Sequence, residues 1–387
     1  LGIRGNAMEP ASKIESIKIK GFRSLADVEL TDLPNAAVLI GPNGSGKSNV
    51  FLFLEMLRQM LRYRRLGEFV ARHGGADDQL FGGSEQTPRI ESEIGLKAKR
   101  SRGTYVINLS YTQGDGFFVD RESIDFSSPE PLAPMGRIIF NRDSESGILP
   151  FDSDGEPSNE TGSPHLDEAL IECRDFLGGW SFHQFHNTGF HSDIKKSWDV
   201  TDSARLLPDG GNLAAVLYGL EREDPKRYDY ICNLVNRILP TFDRFDLEES
   251  YGKVMLRWKA RDSDKTMGAH LTSDGSLRYF CLVTLLNLPE EMLPSVILLD
   301  EPELGLHPSA VGLIGAMIKR MSRKRQVIVA TQSPLLVDEF APNEIFVTEL
   351  KEGRTIITRQ NEEYLSVWLE EFSIGELWQK NVLGGHP

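Results

Sequence analysis

The sequence predicts an α/β fold built around a parallel core sheet, and three stretches carry that expectation. Ala37–Ile40 is a short apolar run that passes through a glycine-rich octapeptide into an apolar helical stretch. Ser295–Leu299 is a second run and ends in the paired acids Asp300 and Glu301. Gln326–Ala330 is a third, with the polar exit Thr331-Gln332-Ser333-Pro334. Runs this uniformly apolar suit strands buried on both faces, whereas a half-exposed antiparallel strand would alternate.

In chain order, Ile14, Ile17 and Ile19 give a strand-like series that turns at Lys18-Ile19-Lys20-Gly21-Phe22-Arg23-Ser24-Leu25. The octapeptide Gly41-Pro42-Asn43-Gly44-Ser45-Gly46-Lys47-Ser48 follows the first apolar run and has the strand, loop and helix order of a phosphate-binding loop. Its glycines let successive amide N–H groups point at phosphates, Lys47 supplies the counter-charge, and the Ser48 hydroxyl is a ligand for Mg²⁺. Asn43, Gly44, Ser45, Gly46, Lys47, Ser48 and Asn49 are therefore the candidate residues for binding a nucleoside triphosphate. A helix is expected from Asn49 to about Ala71, then strands around Arg89–Lys97, Thr104–Thr112 and Gly116–Asp125.

From Ser127 to Ser163 the chain is rich in Ser, Pro and Gly and reads as a connector. Helices are expected at His165–Gly178, Leu213–Leu220 and Pro225–Ile238, and strands near Arg244–Glu248 and Lys253–Lys259. No sustained heptads occur, so this middle part is a short helical insertion and not a coiled-coil arm. Its aromatic tract Trp180–Gly189 reads as packing between lobes, with His183, His186 and His191 making hydrogen bonds and not binding a metal.

Near the far end, Leu271-Thr272-Ser273-Asp274-Gly275-Ser276 opens a helical stretch, with Ser273 in an N-cap context. At the end of the second apolar run, Asp300 suits the Mg²⁺ shell, and Glu301 suits a base that polarises attacking water. Pro308 fits the first position of a helix over Ser309–Met321. The tail 362–381 spaces Leu365, Trp368, Leu369, Phe372, Leu377 and Trp378 as an interrupted amphipathic helix that packs on the body.

Together these segments resemble the SMC, RecF and OLD-like branch of ABC-type ATPases, most of all its stand-alone prokaryotic members. The "GFRSL" turn, the phosphate loop, the serine-glycine signature, the acidic strand and the Glu303–Pro308 loop occur in that family's order. The resemblance implies an ABC/SMC-like P-loop NTPase head with a parallel core sheet and an antiparallel β subdomain. It implies three parts: an ATPase lobe over 8–126, a connector and helical insertion over 127–240, and a second ATPase lobe over 241–387. It also implies that Ser273 and Gly275 of one subunit complete the ATP site of another, so that ATP glues two heads into a homodimer or higher homo-oligomer. Glu301 would be the catalytic base, with Gln332 at the switch position where most relatives carry histidine. An amide there hydrogen-bonds but cannot carry charge, which makes slow or partner-gated turnover one outcome and simple equivalence the other. Gln79 is the candidate Q-loop residue reaching Mg²⁺, the alternative being a plain turn residue.

Composition narrows the partners. Net charge is −14, which disfavours a general polyanion surface while leaving local ones open. Basic clusters lie at Arg58, Arg62, Arg64 and Arg65, at Lys97, Lys99, Arg100 and Arg102, and at Lys319–Arg325. Cys173, Cys232 and Cys281 are too dispersed for a metal knuckle and read as reduced thiols. No basic leader precedes an apolar core and no run spans a membrane, so a cytoplasmic ATPase starting at Met8 is expected. Stand-alone relatives often serve anti-phage systems, which implies a separately encoded effector such as a nuclease. The alternative is a RecF-like ATPase that acts on DNA directly.

Overall fold

Two six-stranded sheets share a core in the computed structural model, which describes residues 12–98, 101–127, 136–140, 164–261 and 265–385. The first is antiparallel. It is formed by β1 (Lys13–Phe22), β2 (Leu25–Leu30), β4 (Arg89–Lys97), β5 (Arg102–Thr112), β6 (Gly116–Ser127) and β7 (Gly136–Phe140), in the order β2-β1-β4-β5-β6-β7. Alternation sets its buried face: Tyr105, Ile107 and Leu109 of β5 point inward between half-exposed neighbours. The stretch expected to be a connector begins at the last residue of β6, Ser127, and contains β7; residues 128–135 and 141–163 fall outside the described residues. The pairing of β7 with β6, from Glu122↔Phe140 to Phe126↔Gly136, extends the sheet by one strand. Met8, Lys99 and Arg100 are likewise outside the described residues.

The second sheet contains all three apolar runs. Its strands are β3 (Ala36–Ile40), β8 (Ser181–His183), β14 (Val296–Asp300), β15 (Gln326–Thr331), β16 (Ile345–Lys351) and β17 (Arg354–Arg359), in the order β17-β16-β3-β15-β14-β8. All pairs are parallel except the β16–β17 hairpin. Successive residues go to opposite cores, as a two-period strand buried on both faces requires. Val38, Leu299 and Val329 join one core, and Leu39, Leu298 and Ile328 the other.

Helices fill both sides. α1 (Lys47–Tyr63) and α3 (Pro164–Gly179) pack in the core shared by the two sheets, and the Trp180 indole donates to Leu54 O at 3.0 Å. α1 stops at Arg64, whose left-handed backbone (φ 55°) lets its N–H bond the Met60 carbonyl, and α2 (Leu66–Arg72) begins after it. The single helix expected from Asn49 to Ala71 is thus two.

The opposite core holds α4 (Leu213–Glu223), α5 (Pro225–Ile238), α6 (Asp274–Leu285) and α7 (Pro308–Met321). Small antiparallel pairings complete this side: β9 (Ser197–Asp199) with β11 (Lys253–Met255), and β10 (Phe242–Phe245) with β12 (Arg257–Ala260) and β13 (Thr266–Gly268). The strand expected over Lys253–Lys259 is divided, its two halves joining different sheets. Beyond β15, α8 (Pro334–Val337) follows the polar exit, and the tail forms α9 (Glu362–Leu365) and α10 (Ile374–Gln379). α10 lies on α8 so closely that a Cβ on Gly375 would meet the Pro334 carbonyl.

Candidate functional site

The loop between β3 and α1 is held from outside itself. Gly46, the N-cap of α1, has φ 100°, and a side chain there would collide with the Thr355 and Ser24 hydroxyls. Thr355, at the start of β17, donates its hydroxyl to Ser45 O at 3.0 Å. The Ser24 hydroxyl then donates to Thr355 Oγ1 at 2.7 Å and accepts the Asn49 amide at 2.7 Å. Turn 21–25, loop 41–48 and β17 are thereby one hydrogen-bonded unit. Asn49 uses its Nδ2 on this buttress.

Lys47 is buried and donates to Gly41 O at 2.7 Å and Pro42 O at 2.9 Å. Burial holds its pKa below the usual lysine value, offset in part by Glu301 and Asp300. Asn43, Gly44 and Ser48 are exposed, while the Ser45 hydroxyl is buried without a partner. The first-turn amides of α1 have no intrahelical acceptor. An exposed cradle of amides around one buried ammonium fits a chain of phosphates.

The acid pair lies opposite. Ser48 Oγ stands 3.3 and 3.5 Å from the Asp300 carboxylate oxygens, and the Gln184 amide donates to Asp300 at 3.1 Å. Burial pushes the Asp300 pKa up, and the adjacent Glu301 charge adds to the rise. A hydroxyl and a carboxylate with a carboxamide beside them are the hard-donor groups that suit Mg²⁺. Glu301 adopts φ 44°, unusual for a residue with a side chain, and its N–H bonds Ala330 O at 2.8 Å. Gln332 Nε2 donates both to Glu301 Oε1 and to Asn43 Oδ1, the latter at 2.7 Å. One neutral amide thus ties the phosphate loop to the acid that follows β14.

Ser273 caps α6 by accepting from Ser276 N at 3.2 Å. Gly275 is packed against the loop after β14, since a Cβ would overlap Gly305 O. Arg278, one turn on, donates to Leu304 O at 3.1 Å, Phe185 O at 3.2 Å and His186 O at 3.3 Å. Three carbonyls on two backbone segments are held by one guanidinium. Ser273 is exposed, and no hydrogen bond joins it or Gly275 to residues 41–49 among the described residues.

Gln79 is a correction. It is fully buried, its Nε2 donates to His73 O at 2.6 Å and Gly75 O at 3.3 Å, and its Oε1 accepts Arg23 Nε at 2.9 Å. Gly74 and Gly75, both at positive φ, turn the chain so that its own carbonyls consume the amide. Gln184, and not Gln79, is the glutamine beside Asp300. It leaves β8, whose His183 is in register with Leu299 of β14, so its side chain begins level with Asp300. The aromatic tract was a visible signal, but a three-residue strand does not announce its parallel partner. Within that tract His183 is a core residue, kept neutral by burial that lowers its pKa to about 3, and packed on Phe185. Among the described residues, no group of three or more His, Cys, Asp or Glu side chains converges as a metal site.

Residues 36–338 match the family model described as "AAA domain, putative AbiEii toxin, Type IV TA system". A DNA replication and repair protein RecF of Anaeromyxobacter dehalogenans (strain 2CP-C) is 45% identical over 138 residues, 33% of this chain and 37% of that protein. A chromosome partition protein Smc of Desulfitobacterium hafniense (strain Y51) is 33% identical over 124 residues, 28% of this chain and 10% of that protein. The chain therefore spans little more than a third of the RecF relative's length. Among solved structures, an Smc head bound to the C-winged helix domain of ScpA covers 91% of this chain and is itself covered at 99%, with TM-score 0.56 and 15% identity. An Smc head with an extended coiled coil, bound to the C-terminal domain of ScpA derived from Pyrococcus furiosus, gives TM-score 0.54 at 14% identity over 93% of this chain and 99% of its own. At such identity the likeness concerns the fold, which is that of SMC heads.

Proposed function

The chain belongs to the AAA-domain family described as putative AbiEii toxin, Type IV TA system, and has the fold of SMC heads; we propose that it is an SMC/RecF-type ATPase that binds and hydrolyses ATP with Mg²⁺ and closes on a second copy when ATP is bound. Closure would control a separately encoded effector, a nuclease in anti-phage defence. The observation that carries the catalytic part is a convergence. Ser48 with Asp300, and Gln332 with Glu301, meet at the carboxyl ends of adjacent parallel strands although 252 and 31 residues separate the partners.

Each group has a role in this reading. Lys47 would exchange its loop carbonyls for phosphate oxygens, a stronger charge-assisted contact. Ser48, Asp300 and Gln184 would hold Mg²⁺, which when bound screens phosphate charge and orients the terminal group. Glu301 accepts a proton from the attacking water, and Gln332 keeps that carboxylate aimed. Ser273 and Gly275, at the exposed N-terminus of a 12-residue helix, would present hydroxyl and amide donors to a phosphate held by the second copy.

The effector role draws support from the family description, and from a structural neighbour whose head is bound to a separate protein's domain. Identity to RecF favours a second reading, direct action on DNA. Light-scattering mass of Glu301→Gln with and without Mg-ATP tests the shared site, because this change should trap ATP while leaving its binding intact. A doubled mass with ATP alone supports closure, and a monomer under both conditions refutes it. Turnover stimulated by duplex DNA and lost steeply with added salt would favour the second reading.

A further inference from the structure

Glu303 lies in the loop after β14, and its carboxylate is turned inward onto the segment that follows β15. Its Oε1 accepts the Thr331 hydroxyl at 2.5 Å and the Gln332 backbone N–H at 3.1 Å. The Thr331 hydroxyl, having donated its proton to Glu303, accepts the Ser333 N–H at 2.9 Å. One carboxylate oxygen thus fixes three consecutive residues, the central one being Gln332. The Gln332 side chain leaves this fixed backbone to bond Glu301 and Asn43. The second oxygen, Oε2, is buried without a hydrogen-bond partner, which costs free energy. Burial also pushes the Glu303 pKa up.

From this geometry we propose that Glu303 is a positioning residue for ATP hydrolysis. It holds the turn after β15 so that Gln332 aims Glu301, and it touches neither nucleotide nor water itself. The proposal rests on the ATPase reading above and deepens it. Freed of Glu303, residues 331–333 would keep their place in the chain but lose their common anchor, and the Gln332 amide would sample positions off Glu301. Misplacement of a catalytic group by about 1 Å costs roughly 10²-fold in rate, whereas phosphate binding, made by the loop before α1, should be left nearly intact.

The test compares the wild-type chain with Glu303→Ala and Glu303→Gln in steady-state ATP turnover, with affinity for a fluorescent ATP analogue measured on the same samples. The expected result for Glu303→Ala is a kcat lower by about 10- to 100-fold with affinity within about twofold. Glu303→Gln keeps a carbonyl oxygen able to accept both bonds, so its kcat should recover to within about fivefold of wild type. In a Gln332→Ala background the Glu303→Ala loss should vanish, because the two act in series. Glu303→Ala with unchanged kcat, an equal loss in Gln332→Ala, or Glu303→Gln as impaired as Glu303→Ala would each overturn the proposal. If Glu303→Ala does not fold, the Glu303→Gln and Gln332→Ala comparison decides alone. A wild-type chain that neither binds ATP nor turns it over refutes the ATPase reading before any variant is compared.

Discussion

Gln184 donates its side-chain amide to Asp300 at 3.1 Å across 116 residues of sequence, while Gln79 is sealed in a turn by its own neighbours. Gln184→Ala should therefore raise the Mg²⁺ concentration needed for half-maximal turnover roughly tenfold, with little change in melting temperature. Gln79→Ala removes buried hydrogen bonds and should cost about 1–3 kcal/mol of stability while leaving the Mg²⁺ requirement unchanged. Metal titrations of turnover beside thermal melts separate the two, and the reverse pattern would restore Gln79 to the site.

The neutral Gln332 donates through one amide nitrogen to Glu301 and Asn43 together, adding no charge beside the carboxylate. Gln332→Ala should lower kcat by about 10- to 100-fold with ATP affinity nearly constant. A steady-state series over ATP concentration checks this. Parallel loss of affinity would mean that Gln332 serves binding and not chemistry.

The phosphate loop depends on Thr355, which is buried and donates to Ser45 O. Thr355→Val removes that donor and leaves the Ser24 hydroxyl without its acceptor. The expected outcome is a stability loss of about 1–3 kcal/mol and an ATP KM raised severalfold, with Thr355→Ser close to wild type. Denaturant melts and KM values on both variants decide it.

Asp300 is a charge placed where burial opposes it. Its folded pKa lies above the ordinary 3.8, so the ionised carboxylate destabilises the fold above that raised value, and the cost is relieved as pH falls from it toward 3.8. Asp300→Asn should melt higher than wild type at pH 7 without Mg²⁺ or nucleotide, and the gap should narrow on acidification. With Mg-ATP the order should reverse, because only the wild type gains the metal's stabilisation. Melting curves over a pH series from 7 down toward 3.8, with and without Mg-ATP, check each sign.

Lys47 contributes the buried positive charge in the loop. Lys47→Ala should weaken ATP binding at least tenfold, equivalent to about 1.4 kcal/mol, and abolish any nucleotide-dependent gain in mass. Equilibrium titration with a fluorescent ATP analogue measures the loss, and unchanged affinity would remove the loop from the binding reading.

What the sequence alone determined was whatever contiguous residues encode. The apolar runs ending at Ile40, Leu299 and Ala330 identify central parallel strands because burial on both faces leaves no room for alternation. The loop 41–48 and the acids Asp300 and Glu301 were legible because their chemistry needs adjacent residues. Tertiary structure decided which distant side chains serve those segments. Gln184 reaches Asp300 only because β8, three residues long, adds in parallel beside β14. Thr355 supports Gly46 only because β17 folds back next to the turn at Ser24. Glu303 anchors Gln332 only because β14 and β15 are neighbours, bringing their exits together. Such contacts are set by strand order, and strand order is written in the summed packing of both cores and not in any local pattern.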